Sequence, residues 1–453
     1  MQFELTREYI DDLKLIIEEQ NEAEAIALMD ELHPADIAEI YDELGIEEAK
    51  FLYLLLDGDI AADVLAELED DDRDRFLKAL PVEVIAKKFI DHMDSDDAAD
   101  LIGGLSDDKQ EEILSQIEDV ETAGDIVDLL HYDEDTAGGL MGKELVIVNE
   151  NWTVLTCLRE LSRQAEDIDE IYYVYVVDDD NKLIGTLSLK KMILSPTSAK
   201  IINIFEPDAM SVHTDEPAEE VSLIMEKYDL VALPVVDSIG RLMGRITIDD
   251  VVDVIRDEAE KDYQMASGIS EDIEANDSIW LQTRARLPWL LIGLAGGILA
   301  AMVISIHENG LADNAKLAFF IPLITAMAGN VGVQSSAIIV QGIASNSLGI
   351  ESTFSRLMRE LGGAIINGLT CSSLLFLCNY FFYADSFALT ISVSVALFAV
   401  IIFAAIAGTL IPLMLNRMKI DPALATGPFI TTLNDIVGLL IYLAIGVYFY
   451  SAF

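Results

Sequence analysis

The chain has 453 residues, and its 28 Lys and Arg residues against 80 Asp and Glu residues give a formal net charge of −52. Residues 281–453 hold seven basic and seven acidic side chains, so the excess falls entirely on residues 1–280, which excludes a single soluble globule. An acidic segment lacks the basic surface that nucleic acid requires, and three scattered cysteines exclude a disulfide scaffold or a thiolate zinc site.

Residues 1–135 are predicted to form an acidic, α-helical domain. Apolar residues recur at three- and four-residue spacing in short segments. A loose repeat relates 32–40 to 93–101, and 56–68 is a third, shifted copy. Short helices in repeat favour a superhelical array, in which neighbours bury one another's apolar faces. The first residues lack the basic and then apolar run of a cleavable signal peptide.

Residues 136–258 contain a second repeat, with an offset of 59 residues between its copies. The segment 176–189 recurs as 235–248, and each copy predicts a strand, a turn with Asp, a Gly before a second strand, and then a helix. The two copies resemble a tandem CBS pair, an α/β regulatory module. That resemblance implies an adenosine nucleotide as a candidate ligand, but fixes no activity.

Five apolar stretches near the C-terminus are long enough to cross a bilayer as helices, which takes about 20 residues. The first four carry no charge, and the last carries only Asp435. We therefore predict an α-helical membrane domain with five transmembrane helices over 285–453, after a connecting helix at 259–284. The stretches are 287–306, 317–344, 361–384, 386–415 and 422–453.

Basic residues in the short loops predict the orientation of this domain. Six of them fall on one side of the membrane and Lys316 falls on the other. The N-terminal 280 residues are therefore expected in the cytoplasm and the C-terminus outside. The six are Arg284, Arg286, Arg356, Arg359, Arg417 and Lys419.

Asp435 is the strongest functional signal. A carboxylate near mid-membrane costs about 2.5–3.5 kcal/mol on insertion scales, so it normally faces a polar interior and marks an ion path. The alternative is an Asp paired to a buried polar group of another span, but no Lys or Arg lies deep in any span. Helical spacing places four residues on the side of Asp435: Thr431, Thr432, Gly438 and Leu439.

Two weaker signals accompany it. The run 329–336 brings Gly329 and Asn330 into the middle of the second span, where irregular backbone is tolerated if it lines water or packs in protein. Ordinary small-residue helix packing explains this run nearly as well. Asp421 lies at the cytoplasmic end of the last span, where it would concentrate cations, or would be a plain loop residue.

A carboxylate with hydroxyl, amide and carbonyl oxygens favours a hard cation. Mg²⁺ and Ca²⁺ take oxygen ligands, whereas zinc and copper prefer His or Cys. Cys371 and Cys378 lie in the third span, but are better explained as small buried residues than as ligands. Mg²⁺ gives up water reluctantly, so a site with few charges would suit the hydrated ion.

Over essentially its whole length the chain resembles the MgtE family of magnesium transporters and channels. The resemblance rests on the motifs at 172–178, 329–335, 421–423 and, most specifically, 428–439. It implies a non-enzymatic homodimer in the plasma (inner) membrane of a bacterium, with Asp435 binding the ion and the second and fifth spans lining the pore. It also implies that a connecting helix at about 262–280 holds the pore shut. Family members often have Asn where this chain has Val333, and some have Asn in place of Gly427.

The resemblance also implies cytoplasmic Mg²⁺ sensor residues: Asp229, Asp250, Asp253, Glu258 and Asp262. One acidic position of the family is basic here, at Lys261. Partners in the helical domain are expected among Asp94, Asp96 and Asp97, which form a dense acidic run.

These acids suggest negative feedback, in which Mg²⁺ bound between acidic faces closes the pore and repulsion opens it when Mg²⁺ falls. Two carboxylates 4 Å apart repel by about 4 kcal/mol at an effective dielectric of 20. Several such contacts cover the roughly 5.5 kcal/mol that inverts a two-state population. The plain alternative is that the charge only keeps the protein solvated.

The expected function is passive, gated Mg²⁺ entry, and channel and coupled carrier are both open. Alternatives are a CBS-regulated transporter of another divalent cation (Mn²⁺ or Co²⁺) and a membrane sensor that transports nothing. An intramembrane zinc protease is excluded, because His307 is the one histidine of the membrane half and no His-Glu-x-x-His occurs. A chloride channel is disfavoured by the negative charge at mid-membrane.

Overall fold

The computed structural model describes residues 5–30, 32–164, 168, 171–270, 273, 277–313, 315–345, 352–383 and 387–452. The chain divides into two compact units, 1–256 and 257–453.

The first unit opens with a succession of short helices, as predicted from the apolar spacing. Two short 3-10 helices, Tyr41–Glu43 and Ile90–His92, interrupt it. The α-helices are α1 (Arg7–Glu18), α2 (Glu22–Met29), α3 (Pro34–Ala38), α4 (Ile46–Leu55), α5 (Gly58–Ala66), α6 (Asp70–Lys78), α7 (Val82–Lys88), α8 (Ser95–Gly103), α9 (Asp107–Leu114) and α10 (Val120–Leu129).

A cluster of buried aromatic rings holds the middle of this succession together. Phe76 is fully buried; its ring lies 5.2 Å from that of Tyr53 and 5.9 Å, edge to face, from that of Phe89. Tyr41 also packs edge to face on Phe76. Such pairs add to the apolar burial of neighbouring helices, so each short helix depends on the next for stability.

The rest of the first unit contains two small mixed sheets of the same design. In each, a first strand pairs in parallel with a second, and the second pairs antiparallel with a third. The strands are β1 (Val146–Asn149), β2 (Val174–Val177), β3 (Leu183–Leu187) and β4 (Glu206–Pro207) in one sheet, and β5 (Val212–His213), β6 (Ala232–Val236) and β7 (Leu242–Thr247) in the other. Their helices are α11 (Val154–Gln164), α12 (Leu189–Leu194), α13 (Ala218–Tyr228) and α14 (Ile248–Ala266), with a 3-10 helix at Ile201–Asn203.

The sequence repeat is reproduced in the turns between the strands. One carboxylate oxygen of Asp178 accepts hydrogen bonds from the backbone N–H groups of Asp180 and Lys182. Asp237, 59 residues later, accepts in the same way from Ile239 and Arg241. The tandem CBS fold is therefore confirmed. The repeated glycines, predicted before the second strand, lie inside β3 and β7.

One hydrophobic core connects the short helices to the second CBS copy. Side chains of β6, β7 and α14, including Val235, Ile246 and Val251, belong to the same buried cluster as those of α1 to α10. The first copy has its own core, which includes Val146, Val176 and Leu187. The shared core brings the acidic run of α8 toward the second copy.

Five helices of the second unit, among the residues described, are long and apolar enough to cross a membrane: Ile279–Ile306, Ala315–Ala344, Thr353–Phe381, Phe387–Arg417 and Gly427–Gly446. The chain is thus a multi-pass membrane protein. The helices are α15 (Ile279–Ile306), α16 (Glu308–Asp313), α17 (Ile321–Ala344), α18 (Thr353–Cys378), α19 (Phe387–Arg417) and α20 (Gly427–Ala452), with 3-10 helices at Ala315–Phe320 and Pro422–Ala425 and a π-helical turn at Asn379–Tyr383.

The predicted spans differ from these helices mainly at their starts. The first and third helices begin eight residues before the predicted 287 and 361, because charged side chains near a helix end do not interrupt its backbone hydrogen bonds. The last begins at Gly427 rather than at 422, since a 3-10 turn precedes it.

The predicted connecting helix at 259–284 is not one helix. Helix α14 ends at Ala266, followed by Gly268 with a φ of +81°. The N–H of Ile269 reaches the carbonyl of Gln264 at 3.0 Å, as at many helix ends with a left-handed glycine. Helix α15 begins at Ile279, and residues 271, 272 and 274–276 lie outside the described residues.

We expect Phe76→Ala to destabilise the short helices by roughly 3–5 kcal/mol, because it leaves a cavity in the aromatic cluster. Hydrogen–deuterium exchange of the detergent-solubilised protein should show faster exchange in α4 to α7. The control is Leu15→Ala, whose side chain is 55% exposed. Equal exchange in the two variants would contradict the role of the cluster.

Candidate ion-binding groove and acidic clusters

A cavity of about 470 Å³ lies between α17 and α20. Its α17 wall consists of two rows of residues at four-residue spacing, which share one face of a helix. Its α20 wall consists of Thr431 and Asp435, also four residues apart. We call this cavity the groove; its lining is Thr325, Ala326, Gly329, Asn330, Val333, Gln334, Thr431 and Asp435.

The groove offers oxygen atoms and one charge. Asp435 is the charged residue of the lining and is half-buried. The hydroxyl of Thr431 donates to the carbonyl of Gly427 at 2.8 Å, and that of Thr325 donates to the carbonyl of Ile321 at 3.1 Å. Their donors are thus engaged within the helices, so their oxygen lone pairs are left to accept. The wall suits a cation or its hydration water.

Four of the predicted pore residues meet in this groove: Asp435, Thr431, Gly329 and Asn330. Thr325 and Gln334 were not among the predicted site residues. The sequence could have indicated them, because Thr325 lies four residues before Gly329 and Gln334 lies four residues after Asn330, on the same helix faces. Val333 does lie in the lining, where it presents an apolar surface.

Thr432, the fifth predicted pore residue, lies outside the groove lining. A side chain on Gly296 of α15 would overlap the methyl group of Thr432, so this threonine packs against α15. Gly438 contacts Ala328, and Leu439 is buried in the apolar core of the membrane unit. Residues three and four positions away from Asp435 along α20 lie on both sides of it. Of these residues, Thr431 lines the groove and the others pack against neighbouring helices.

Asp421 also lies outside the groove lining. Its carboxylate accepts from the N–H of Ala423 at 2.8 Å and so caps the 3-10 helix before α20. Burial, and after it the charge of Asp421, raise the pKa of Asp262 in α14. The negative charge of Asp421 therefore repels that of Asp262 near the end of α14.

Gly427 has no room for a side chain. Its φ is +49°, and a Cβ atom there would overlap the carbonyl oxygen of Ala266, the last residue of α14. A Cβ on Gly268 would similarly meet the ring of Pro428 at 2.5 Å. This backbone therefore has no space for the Asn that some members of the resembled family have at this position.

An acidic cluster lies in the first unit, around the start of α8. Carboxylate oxygens of Asp94, Asp96 and Glu144 lie within 4.8 Å of one another. Glu144 accepts from the N–H and the hydroxyl of Ser95, both at 3.0 Å. The charge of Asp250 acts on both Asp96 and Asp97. This acidic cluster comprises Asp94, Asp96, Asp97, Glu144 and Asp250.

Burial and mutual repulsion shift the pKa values in the cluster upward. Burial, then the charge of Asp250, raise the pKa of Asp97 to about 7. The pKa of Asp96 is raised well above its ordinary value by burial, then by Asp250 and Asp97. Burial also raises the pKa of Asp250 to about 6, although its carboxylate accepts from the N–H and hydroxyl of Thr247 at the start of α14. A divalent cation would relieve the same repulsion as a proton.

The structure thus places Asp94, Asp97 and Asp250 in one acidic cluster, and their role as Mg²⁺ sensors stays a prediction. Glu144 was missed, because it precedes β1 without any repeat or motif to single it out.

The other predicted sensor residues have different surroundings. Asp229 occupies the left-handed position that ends α13, with a φ of 52°. Asp253 lies 3.6 Å from Arg256. Glu258 forms an ion pair with Lys261 at 3.0 Å, so the basic residue at 261 neutralises an acid on its own helix.

Family models match three parts of the chain. The model described as "Divalent cation transporter" (MgtE) matches 321–445, and the "MgtE intracellular N domain" matches 32–135. The CBS domain model matches 137–195 and 201–257.

Similar proteins cover most of the chain. A magnesium transporter MgtE of Thermus thermophilus is 34% identical over 92% of this chain and 93% of its own length. One of Bacillus subtilis is also 34% identical, over 93% of each chain. A crystal structure of the soluble part of a magnesium transporter is 33% identical with a TM-score of 0.50, and covers 56% of this chain and 98% of its own. The cytosolic domain of the Mg²⁺ channel MgtE in complex with ATP is 35% identical with a TM-score of 0.50, and covers 54% and 99%.

The raised pKa values predict that, without divalent cations, the first unit loses stability as the pH rises. Asp250 holds a proton in the folded state that the unfolded chain releases near pH 3.8, so this contribution is present at low pH and is lost as the pH rises through about 6. Asp97 acts in the same direction, but its side chain is exposed, so solvent screens its contribution. In EDTA, the Tm of the first unit should fall between pH 5 and pH 8. Scanning calorimetry of the detergent-solubilised protein measures it.

We further expect Mg²⁺ to raise this Tm more at pH 8 than at pH 5, because the ion replaces protons. Ligand at a hundredfold excess over Kd adds about 2.7 kcal/mol. The double variant Asp96→Asn, Asp97→Asn should flatten both dependences. A Tm that rises with pH in EDTA would be inconsistent with the cluster.

Proposed function

The chain belongs to the MgtE family of magnesium transporters, and we propose that it carries Mg²⁺ into the cell through the groove between α17 and α20, under control of its own acidic clusters. Members of the family are transporters and not enzymes. The observation that carries the proposal is the position of Asp435: it lies within the membrane helix α20 and lines the groove together with the polar residues of α17.

The groove suits a hydrated ion. Water takes about 30 Å³ per molecule, so six waters around Mg²⁺ take about 180 Å³. This fits a cavity of about 470 Å³. Mg²⁺ keeps several waters and uses few carboxylates. Asp435 would supply the charge, while Asn330, Thr431 and the backbone at Gly329 would hold the water shell.

A second copy of the chain would complete the pathway. Asn330 is exposed although it lines the groove, so one chain forms only one wall of a channel. A two-fold related copy would place the same wall opposite. It would also supply a second Asp435, so that two carboxylates would balance the two charges of the ion. The functional form is therefore a homodimer in the lipid bilayer.

The direction of transport follows from the loop charges. Arg284 and Arg286 at the start of α15 belong on the cytoplasmic side by the positive-inside rule, together with the acidic first unit. A negative-inside potential favours cation entry by about 2.3 kcal/mol per charge per 100 mV. Import then needs no other energy source.

Intracellular Mg²⁺ would close the pathway through carboxylates at the end of α14. Asp262 and Asp421 raise each other's energy, and Ala266, four residues after Asp262, contacts the backbone of Gly427 at the start of α20. A cation between Asp262 and Asp421 would hold α14 against α20. Without the ion, repulsion would separate them.

The acidic cluster of the first unit would act in the same sense. Mg²⁺ among Asp94, Asp96, Asp97 and Asp250 would hold α8 against α14. The tandem CBS fold, and the ATP complex of a similar cytosolic domain, support an adenosine nucleotide as a further regulatory ligand.

We expect Asp435→Asn and Asp435→Ala to lower Mg²⁺ uptake into proteoliposomes at least tenfold, since tenfold corresponds to only about 1.4 kcal/mol of lost ion stabilisation. The control is Glu308→Gln, which removes a carboxylate outside the groove. Unchanged uptake in the Asp435 variants would remove this residue from the pathway. No uptake by the wild type would favour a sensor that transports nothing, and faster Mn²⁺ or Co²⁺ uptake would change the substrate.

We expect the triple variant Asp250→Asn, Asp253→Asn, Glu258→Gln to lose the suppression of current by internal Mg²⁺, because fewer carboxylates remain for the ion to bridge. Patch recordings with Mg²⁺ varied on the cytoplasmic side measure this. The variant Asp11→Asn, Asp12→Asn, Glu18→Gln makes the same charge change on α1 and serves as the control. Suppression equal to that of the wild type in the triple variant would rule out feedback through these residues.

A further inference from the structure

Asn434, the neighbour of Asp435, makes a buried contact between the two groove helices. Its side chain is 0% exposed, and its Nδ2 atom donates to the carbonyl oxygen of Ala328 on α17 at 3.2 Å. Within α17, the N–H of residue 332 already points toward that carbonyl. The amide of α20 is therefore a second donor to the α17 backbone.

The contact requires a glycine at position 332. A Cβ atom on Gly332 would overlap Nδ2 of Asn434. On its other flank, Gly332 approaches Gly408 of α19, where a Cβ atom would overlap the carbonyl oxygen of Gly332 at 2.5 Å. Helix α17 is thus packed on both sides of Gly332 without an intervening side chain. While the Asn434 side chain is present, a methyl group at 332 therefore has no free space.

This contact sets how both helices are turned. Successive residues of a helix point about 100° apart, so fixing Asn434 fixes the direction of Asp435. On α17, Ala328 and Gly332 face α20 directly, while Gly329, one residue after Ala328, and Asn330, two residues after it, line the groove. Loss of the contact would allow either helix to rotate and would move the carboxylate away from the amide wall.

We propose that Asn434 is a positioning residue for ion transport: its hydrogen bond to Ala328, admitted by Gly332, holds Asp435 and the α17 wall in register. The inference rests on the proposed function of the groove, and it assigns to Asn434 no contact with the ion.

The first test compares Asn434→Leu, which keeps the branched shape of the side chain but removes the amide donor, with the wild type over a range of Mg²⁺ concentrations. We expect the half-saturating concentration for uptake to rise at least fivefold, with an unchanged elution volume in detergent, because the wall no longer faces the carboxylate. If Asn434→Leu is not recovered folded, Asn434→Ala is measured in its place. Wild-type uptake at every concentration would overturn the proposal.

The second test exploits the missing side chain at 332. Gly332→Ala should impair uptake in the wild-type background, because its methyl group displaces the Asn434 amide. In the Asn434→Ala background, the same change should have little further effect, since the amide is gone; the double variant should transport better than Gly332→Ala alone. Additive losses would overturn the proposal, because coupling between contacting residues is the signature of a direct interaction.

Two controls make the outcome specific. Gly297→Ala adds a methyl group in α15 that, beyond its own turn of the helix, meets no atom of the described residues within 4 Å, and should leave uptake unchanged. Asp435→Asn is measured in the same preparation. If it abolishes uptake while the Asn434 variants do not, only the positioning role fails; if it also has no effect, the proposed function of the groove fails as well.

Discussion

The carboxylate of Asp435, within a membrane helix, is the constraint on which the second unit depends. A charge in hydrocarbon needs polar groups or water around it, and α17 presents a face of small, hydroxyl and amide residues to Asp435 across the groove. The helices of this unit pack closely. Gly332 and Gly408 allow the close approach of α17 to its neighbours, and Tyr442 of α20 donates to the carbonyl of Leu317 at 2.7 Å.

In the first unit, several carboxylates lie close together although they repel one another. Two of them are positioned by hydroxyl donors: Ser95 donates to Glu144, and Thr247 donates to Asp250. Neutral donors position these carboxylates without cancelling their repulsion. Such a cluster stores electrostatic energy that protons or cations release. At Glu258, by contrast, the charged partner is Lys261, at 3.0 Å on the same helix.

The sequence was most informative where a period or a composition recurs over many residues. Hydropathy predicted the five spans, and the 59-residue offset predicted the CBS pair with its Asp178 and Asp237 turns. Directions around a helix were harder to predict, because spacing alone put Thr432 beside Asp435, whereas packing against Gly296 turns it away. The break at Gly268 was missed, since the acidic helical pattern before it gave no sign of a left-handed residue. Glu144 joins its partners only through tertiary contacts, which a single sequence does not encode locally.

The contact of Gly427 with Ala266 has a mechanical consequence. The backbone of Gly427 packs directly against the backbone of Ala266, and no side chain lies between them that could change rotamer. Gly427 lies eight residues before Asp435, or about 12 Å at 1.5 Å per residue. A small displacement of the backbone at Ala266 would therefore be transmitted along α20 to the groove.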